Sequence, residues 1–382
     1  MKVIAAQWTT TRGWSFDAPD GLLEPDWILY FGATACLEQS DGPIQELYKK
    51  FPKAVCSGCS TSGEILGEHV GDDTVAAALV KFSDTRVRGV AAQVAAPEHS
   101  RATAKTLAEQ LCADELCHVL VLSEGLKVNG TDLVAGFREA LPPHVAVTGG
   151  LAGDGTRFGK TYTGLGSQLC GSQVVAVGFY GRKLQVGYGT EGGWDAFGPW
   201  RLITKSQGNV LFELDGQPAL DLYKKYLGER ASGLPATGLL FPLQLLANAN
   251  APTGLVRTIL TVDEHQHSLT FAGDMPEGHY VRLMKAGQDG LVHGAAQAAT
   301  AAVSAGTDSQ LTILVSCVGR RLVLGQHVED ELEVVRKTAR IGGVIIGFYS
   351  YGELCPPTGL HTCELHNQTM TITTFAEGCN QR

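Results

Sequence analysis

Long apolar runs and clusters of basic charge are both missing from this sequence of 382 residues. No window approaches the roughly 20 consecutive apolar residues of a membrane-spanning helix. The N-terminal segment lacks the apolar core of a secretory signal peptide, which predicts a cytoplasmic protein. The net charge of −9 and the scattered lysines and arginines argue against nucleic acid or an anionic membrane as the main partner.

The motifs of common nucleotide-binding and hydrolytic enzymes are also missing. The sequence contains no GxxxxGK[ST], GxSxG or HExxH pattern. A GxGxxG pattern occurs at Gly187, Gly189 and Gly192, but residues 194–199 follow it where a dinucleotide-binding fold needs a helix. We therefore interpret these glycines as a chance match.

Ten cysteines are present, without an export signal that would favour disulfides. Most of them are expected to be small buried side chains in a reduced protein. The cysteines that lie close to one another in sequence are candidates for a redox pair or a metal site.

Short apolar runs alternate with helical patterns along both halves of the chain. This alternation predicts an α/β fold of two mixed-sheet modules packed against each other. A hairpin is expected around Gly181 and Arg182. Since a glycine- and proline-rich connector lies near 208–238, we divide the chain into an N-terminal lead-in (1–26), an N-terminal module (27–215) and a C-terminal module (216–382).

The first candidate site directly follows a predicted strand and contains Cys59, Ser60 and Thr61. Its hydroxyls and backbone amides would suit a small anion or carboxylate. A redox dithiol of Cys56 and Cys59 is one alternative, and a tight structural loop is another.

The second candidate site is a glycine-rich strand end with Gly149, Gly150 and Asp154. Four glycines in seven positions permit tight turns and a close approach to a ligand.

The third candidate site is the C-terminal group of Cys355, Cys363 and His366. Thiolate and imidazole ligands suit zinc, iron or an iron–sulfur centre. A loop histidine bonded to the backbone is the alternative.

Two arginines lie near predicted strands, Arg257 within one and Arg320 just after another that ends near Cys317. An arginine facing a cleft would bind a carboxylate or propionate through two parallel hydrogen bonds. A solvent-facing side chain is the alternative for each.

Six further motifs occur in order at residues 58–65, 148–155, 272–278, 316–320, 347–353 and 365–369. Together they resemble the FIST family, the first two its N-terminal module and the other four its C-terminal module. The resemblance extends over residues 27–375, nearly the whole chain. Through these motifs the resemblance adds Cys317, Glu353 and Asn367 to the candidate ligand-binding residues.

The resemblance implies an intracellular sensor of small ligands such as amino acids. Some stand-alone bacterial members are nitric-oxide-sensing haemoproteins that regulate a histidine kinase or a cyclic-di-GMP enzyme. It therefore implies His366 as a candidate axial haem ligand, with zinc or an iron–sulfur centre near Cys355 and Cys363 as the alternative, and a signalling enzyme as partner. A metal- or thiol-dependent enzyme with a low-pKa thiolate is the competing hypothesis from another class.

Overall fold

The computed structural model describes residues 1–18, 21, 23–247, 254–303, 308–339, 341–357 and 360–378. Among these residues, none of the helices has the length and apolar character needed to cross a bilayer. The fold is α/β, as predicted.

One arrangement of strands and helices occurs three times along the chain. The first repeat comprises β1 (Lys2–Thr9), β2 (Gly13–Phe16), β3 (Trp27–Gly32), α1 (Thr34–Leu37), α2 (Pro43–Lys50), β4 (Val55–Ser60), β5 (Glu64–Leu66), β6 (His69–Gly71) and β7 (Val75–Lys81). The second repeat comprises β8 (Arg86–Gln93), α3 (Ser100–Leu111), β9 (Leu116–Ser123), α4 (Gly130–Ala140), β10 (Ala146–Leu151), β11 (Thr163–Leu165), β12 (Gln168–Cys170) and β13 (Gln173–Tyr180).

The third repeat is interrupted by an inserted domain. It begins with β14 (Leu184–Glu191). The inserted domain contains β15 (Asp195–Ala196), β16 (Arg201–Gln207), β17 (Val210–Leu214), β18 (Gln217–Pro218), α5 (Ala219–Leu227), β19 (Leu243–Leu246), β20 (Leu255–Arg257), β21 (Ile259–Asp263), β22 (Ser268–Phe271) and β23 (Tyr280–Lys285). The repeat resumes with α6 (Gln288–Ala302), β24 (Leu311–Cys317), α7 (Val318–Leu324), α8 (Asp330–Ala339), β25 (Val344–Ser350), β26 (Gly352–Cys355), β27 (Glu364–His366) and β28 (Met370–Glu377).

The three repeats form three sheets with the same strand order. The orders are β12-β11-β4-β3-β7-β1 with β2 added at the edge, β27-β26-β10-β9-β13-β8, and β6-β5-β25-β24-β28-β14. The central pair of each sheet is parallel, and its two strands are joined through helices. Each hairpin after the second parallel strand then pairs with the sheet of another repeat: β5–β6 with β25, β11–β12 with β4, and β26–β27 with β10. The repeats are therefore interlocked in a closed, pseudo-threefold arrangement.

The inner faces of the three sheets enclose one apolar core. Trp27, Phe179 and Phe375 meet there, and Phe31 stacks on Phe348 with ring centroids 4.6 Å apart. Helices cover the outer faces in three further clusters. Since the parallel strands have both faces covered, they are almost entirely buried, and the apolar ones among them stand out in the sequence.

The predicted boundaries of the chain fall beside strands that pair with one another in this fold. The lead-in 1–26 contains β1 and β2, and β1 pairs with β7 along its whole length. The boundary at 215/216 lies between β17 and β18, which pair within the sheet of the inserted domain. The predicted hairpin around Gly181 does not form, because β13 and β14 belong to different sheets.

The GxGxxG pattern has a structural explanation. A Cβ atom on Gly187 would lie 2.0 Å from the Ala302 carbonyl oxygen, and one on Gly189 would lie 2.2 Å from that of Ala298. These glycines let the alanine-rich helix α6 lie close against β14.

Candidate ligand site

Three crossover segments meet where the second parallel strand of each repeat leaves its sheet. They span residues 60–64, 151–163 and 349–353, and backbone hydrogen bonds join them in a ring. The bonds run from Gly153 N to Ser60 O (3.0 Å), from Ser62 N to Tyr349 O (2.8 Å) and from Tyr351 N to Leu151 O (3.1 Å). Ser60 Oγ also donates to Gly153 O. The first two predicted sites therefore lie together, around the pseudo-threefold axis.

Buried carboxyl groups occupy equivalent positions in two of these crossovers. Glu353 accepts hydrogen bonds from Ser350 Oγ (2.6 Å), Thr369 Oγ1 (2.9 Å) and Thr369 N (3.1 Å). Glu64 accepts equivalent bonds from the Thr61 hydroxyl and from Thr74. Burial raises the pKa of each carboxyl to about 7, although these hydrogen bonds lower it.

The Glu353 carboxyl should make stability depend on pH. Its folded pKa of about 7 lies above its ordinary value of 4.5, so the folded protein retains a proton that the unfolded chain loses. The stability contribution of a neutral Glu353 is therefore fully present below pH 4.5 and is lost as pH rises towards 7. We expect Glu353→Gln, which resembles the neutral carboxyl, to gain stability relative to the wild type over this window, by up to about 1.4 kcal/mol per pH unit. Urea unfolding between pH 4.5 and 8 measures the difference, and a pH-independent difference would contradict the prediction.

Asp154 holds the second crossover in place through several hydrogen bonds. It accepts hydrogen bonds from Thr34 Oγ1 (2.5 Å), Arg157 Nε (2.9 Å) and Lys160 N (3.2 Å). Burial acts to raise its pKa, but the donors from Arg157 and Thr34 outweigh this effect and lower it. Its oxygens therefore stabilise the crossover.

Gly149 lies close against the backbone of the neighbouring strand. A Cβ atom there would lie 1.9 Å from Val121 O in the neighbouring strand β9. At Gly150, a Cβ atom would lie 2.7 Å from Val315 Cγ1, within the central core. The glycines thus allow tight packing of the sheets, which is the structural reason for this motif.

Gln368 joins the three-sheet body to the inserted domain at a junction, and Asn367 directly precedes it in the chain. Gln368 Nε2 donates to Leu239 O and Thr258 Oγ1, both at 3.0 Å. Yet Gln368 Oε1 and both polar side-chain atoms of Asn367 are buried without a hydrogen-bond partner among the described residues. Both residues are fully buried. Buried polar atoms without partners carry a desolvation penalty, so they indicate a site that another molecule could complete.

Arg257 reaches the same junction from the inserted domain. Its Nη1 donates to Leu365 O (3.1 Å) and Val256 O (3.3 Å), while its buried Nε has no partner among the described residues. Burial lowers its pKa to about 10, so the guanidinium stays charged at neutral pH. Arg257 is buried, so the alternative of a solvent-facing side chain is wrong for it, and its role in binding a carboxylate stays a prediction.

The other arginine, Arg320, is not available to a ligand. Its Nε and Nη2 donate to Glu331 Oε2, and its remaining donor bonds go to the carbonyl oxygens of Gly192 and Leu291. Both members of the ion pair are fully buried. The alternative of a solvent-facing Arg320 is wrong for the same reason.

The cysteine sites do not support thiol chemistry. Cys56 packs in an outer cluster and Cys59 in the central core, because residues three apart on a strand face opposite sides of the sheet. Burial raises the pKa of both thiols, and likewise those of Cys317, Cys355 and Cys363. The thiolate required by the enzyme hypothesis is thus disfavoured. Cys379 lies outside the described residues.

His366 is bonded to the backbone in its hairpin. Its Nε2 lies 3.0 Å from Cys355 O, and a carbonyl oxygen can only accept, so Nε2 carries the hydrogen and has no lone pair for iron. Burial lowers the pKa of His366 to about 4. Haem ligation through this nitrogen therefore does not fit the geometry. Within the described residues, no three or more His, Cys, Asp or Glu side chains are placed to hold a metal ion.

The structure brings most of the predicted site residues to the crossovers and the adjoining junction. Sequence reasoning missed Gln368 and its partners Thr258 and Leu239, although Gln368 stands beside Asn367 in the same motif. Its positive φ of 66° at the turn into β28 is the local feature that directs the side chain towards the inserted domain.

Comparison with known families gives two matches. A family model described as the FIST N domain matches residues 26–217, and one described as the FIST C domain matches residues 219–356. A search of curated proteins found no match. The second match ends before β27, so Asn367 and Gln368 lie just beyond it.

Proposed function

Because the chain belongs to the FIST family, whose domains are linked to small-ligand sensing in signalling proteins, we propose that it is a sensor of an amino acid or similar small carboxylate. The ligand would bind at the junction of the three-sheet body with the inserted domain. The unpartnered polar atoms of Asn367, Gln368 and Arg257 are the observation that carries the proposal.

The chemistry of these atoms suits the two charged ends of an amino acid. Arg257 Nε and Asn367 Nδ2 are donors suited to a carboxylate, whereas Asn367 Oδ1 and Gln368 Oε1 are acceptors suited to an ammonium group. The two chain segments are already in contact, since Arg257 and Thr258 bond to Leu365 and Gln368 respectively. A ligand bound between them would depend on both domains.

The first linker of the inserted domain packs closely against the first turn of α6: a Cβ atom on Gly193 would lie 2.0 Å from Gly290 O, and one on Gly290 would lie 2.7 Å from Gly193 O. Trp194 Nε1 donates to Gln368 O, which ties one linker to the junction. A ligand that binds one domain arrangement more tightly would shift the population towards it.

We extend this proposal to binding without catalysis, with output through a separate signalling enzyme such as a histidine kinase or a cyclic-di-GMP enzyme. Burial raises the pKa of the Cys59 and Cys317 thiols, so they offer no activated thiolate nucleophile. This supports a role without thiol catalysis. A junction that closes around a ligand would present a surface to which such a partner binds.

Asn367→Leu should separate ligand binding from folding. Leucine has a similar shape but no polar atoms, so the variant should be more stable than the wild type without ligand, by about 1–3 kcal/mol. It should also lose the stabilisation that an amino acid gives the wild type, which is about 2.7 kcal/mol at one hundred times Kd. Denaturation with and without each of the twenty amino acids and small dicarboxylates measures both effects.

Tyr30→Phe is the matched control. The Tyr30 hydroxyl is also buried without a partner among the described residues, but it lies in an outer cluster of the first repeat. This variant should retain the full response to ligand. No response of the wild type to any of these compounds, or an undiminished response of Asn367→Leu, would disprove the proposed site.

A further inference from the structure

The strand registers define equivalent positions in the three repeats. The pairs Gly32–Val75, Ser123–Val174 and Ser316–Met370 correspond, as do the hairpin pairs Glu64–Gly71, Thr163–Cys170 and Glu353–His366. It follows that Gly171 and Ser172 in the second repeat occupy the positions of Asn367 and Gln368 in the third. Asp72 and Asp73 occupy these positions in the first repeat.

In the first and third repeats, side chains fill the space beside these positions. The Gln368 amide lies over Gly319, where a Cβ atom would come within 2.3 Å of Oε1. In the first repeat the Arg321 guanidinium lies over Gly63, pairs with Asp72 at 2.6 Å and donates to Ser62 O. Both spaces are therefore closed by side chains of the protein.

In the second repeat the same space is open. Gly171 and Ser172 are too small to fill it, and a groove of about 420 Å³ lies there, lined also by Glu124, Lys127, Lys160 and Thr161. It lies at the carboxyl end of β9, where open α/β sheets commonly bind ligands. A groove of this size accommodates a small organic molecule.

Two exposed lysines of the groove are the groups that would meet an anion, and its two carboxylates already have hydrogen-bond or ionic partners. The Glu124 carboxylate accepts hydrogen bonds from Leu126 N, Lys127 N and Thr161 Oγ1, so backbone and hydroxyl donors already occupy its oxygens. Lys127 and Lys160 are exposed cations in the lining. At the rim, Glu38 lies 3.5 Å from Lys160 and accepts a hydrogen bond from the Tyr162 hydroxyl. An incoming anion would compete with Glu38 for Lys160.

We propose that this groove is a second binding site, specific for a small anion that carries a phosphate or carboxylate group. The anion would contact Lys127 and Lys160, with the Ser172 hydroxyl as a neutral donor. This site is separate from the junction at Asn367. An anion bound there would be a second ligand to which the protein responds, besides the ligand at the junction.

The test uses inorganic phosphate and succinate as probes, with binding to the full chain measured by calorimetry. The double variant Lys127→Glu/Lys160→Glu should weaken binding at least tenfold, whereas Glu38→Gln should strengthen it. Lys225→Glu, an exposed lysine of the inserted domain, is the control for charge and should leave affinity unchanged. Comparison of the two probes shows whether the site prefers phosphate or carboxylate.

Asn367→Leu distinguishes this proposal from the proposed sensor site. Binding in the groove should persist in Asn367→Leu and disappear in the lysine double variant. If neither probe binds the wild type, or if the double variant binds as tightly as the wild type, the groove is not an anion site. Binding lost in Asn367→Leu alone would place the probe at the junction and overturn the proposal.

Discussion

Glu331→Ala is expected to lower the free energy of unfolding by about 3–5 kcal/mol, because it leaves the Arg320 guanidinium buried and unpaired. Glu331 also accepts hydrogen bonds from Ser316 Oγ (3.0 Å) and Tyr349 Oη (2.7 Å). These donors tie α8 to the carboxyl ends of β24 and β25, next to the third crossover. The loss of one carboxylate would therefore leave a charge and two hydroxyls without an acceptor.

A double variant tests whether the penalty comes from the uncompensated charge. Arg320→Met/Glu331→Leu removes both charges and keeps apolar volume, so it should recover a large part of the stability lost in Glu331→Ala. Urea denaturation of the two variants and the wild type gives the comparison. A double variant no more stable than Glu331→Ala would show that the hydrogen bonds to carbonyls and hydroxyls matter more than the charge.

The α/β class could be predicted from sequence because the parallel strands are covered on both faces. Runs such as Trp27–Gly32 and Leu311–Cys317 are buried throughout. The threefold arrangement could not be predicted, since it depends on hairpins that pair with another repeat. A hairpin such as β5–β6 has the same local pattern whichever sheet it joins, and the inserted domain separates β14 from the rest of its repeat.

The candidate site was predicted in part, and the failures have physical causes. Glu353 and Asn367 were predicted through the motifs that resemble the FIST family rather than from a local residue pattern. The partner of Arg320 is Glu331, 11 positions away on a helix, which a single sequence does not reveal. Gln368 was missed because its role depends on the inserted domain, whose Leu239 and Thr258 lie more than one hundred residues earlier.

One glycine occurs at the equivalent position of each repeat and should be intolerant of any side chain. A Cβ atom would lie 2.2 Å from Tyr30 O on Gly58, 1.9 Å from Val121 O on Gly149 and 2.0 Å from Leu314 O on Gly347. All three oxygens belong to backbone in the neighbouring parallel strand. Relief of these contacts would require the two central strands of a sheet to move apart.

We expect Gly347→Ala to lower the free energy of unfolding by about 3 kcal/mol or more, because the clash involves backbone that is fixed on both sides. Gly149→Ala should be more severe, since Gly149 also has a φ of 140°, which L-residues rarely adopt. Chemical denaturation, or the yield of folded protein for a variant that does not fold, measures the effect.

Gly342→Ala is the control for this series, because a Cβ atom there would meet nothing within 4 Å. It should change stability by less than about 1 kcal/mol. If Gly347→Ala were equally mild, the parallel strands could separate at little cost, and the crossovers that follow them would not be rigidly placed. A large loss confined to the three equivalent glycines would instead show that close contact between the central strands fixes the position of the crossovers, and with them Glu353 beside the junction.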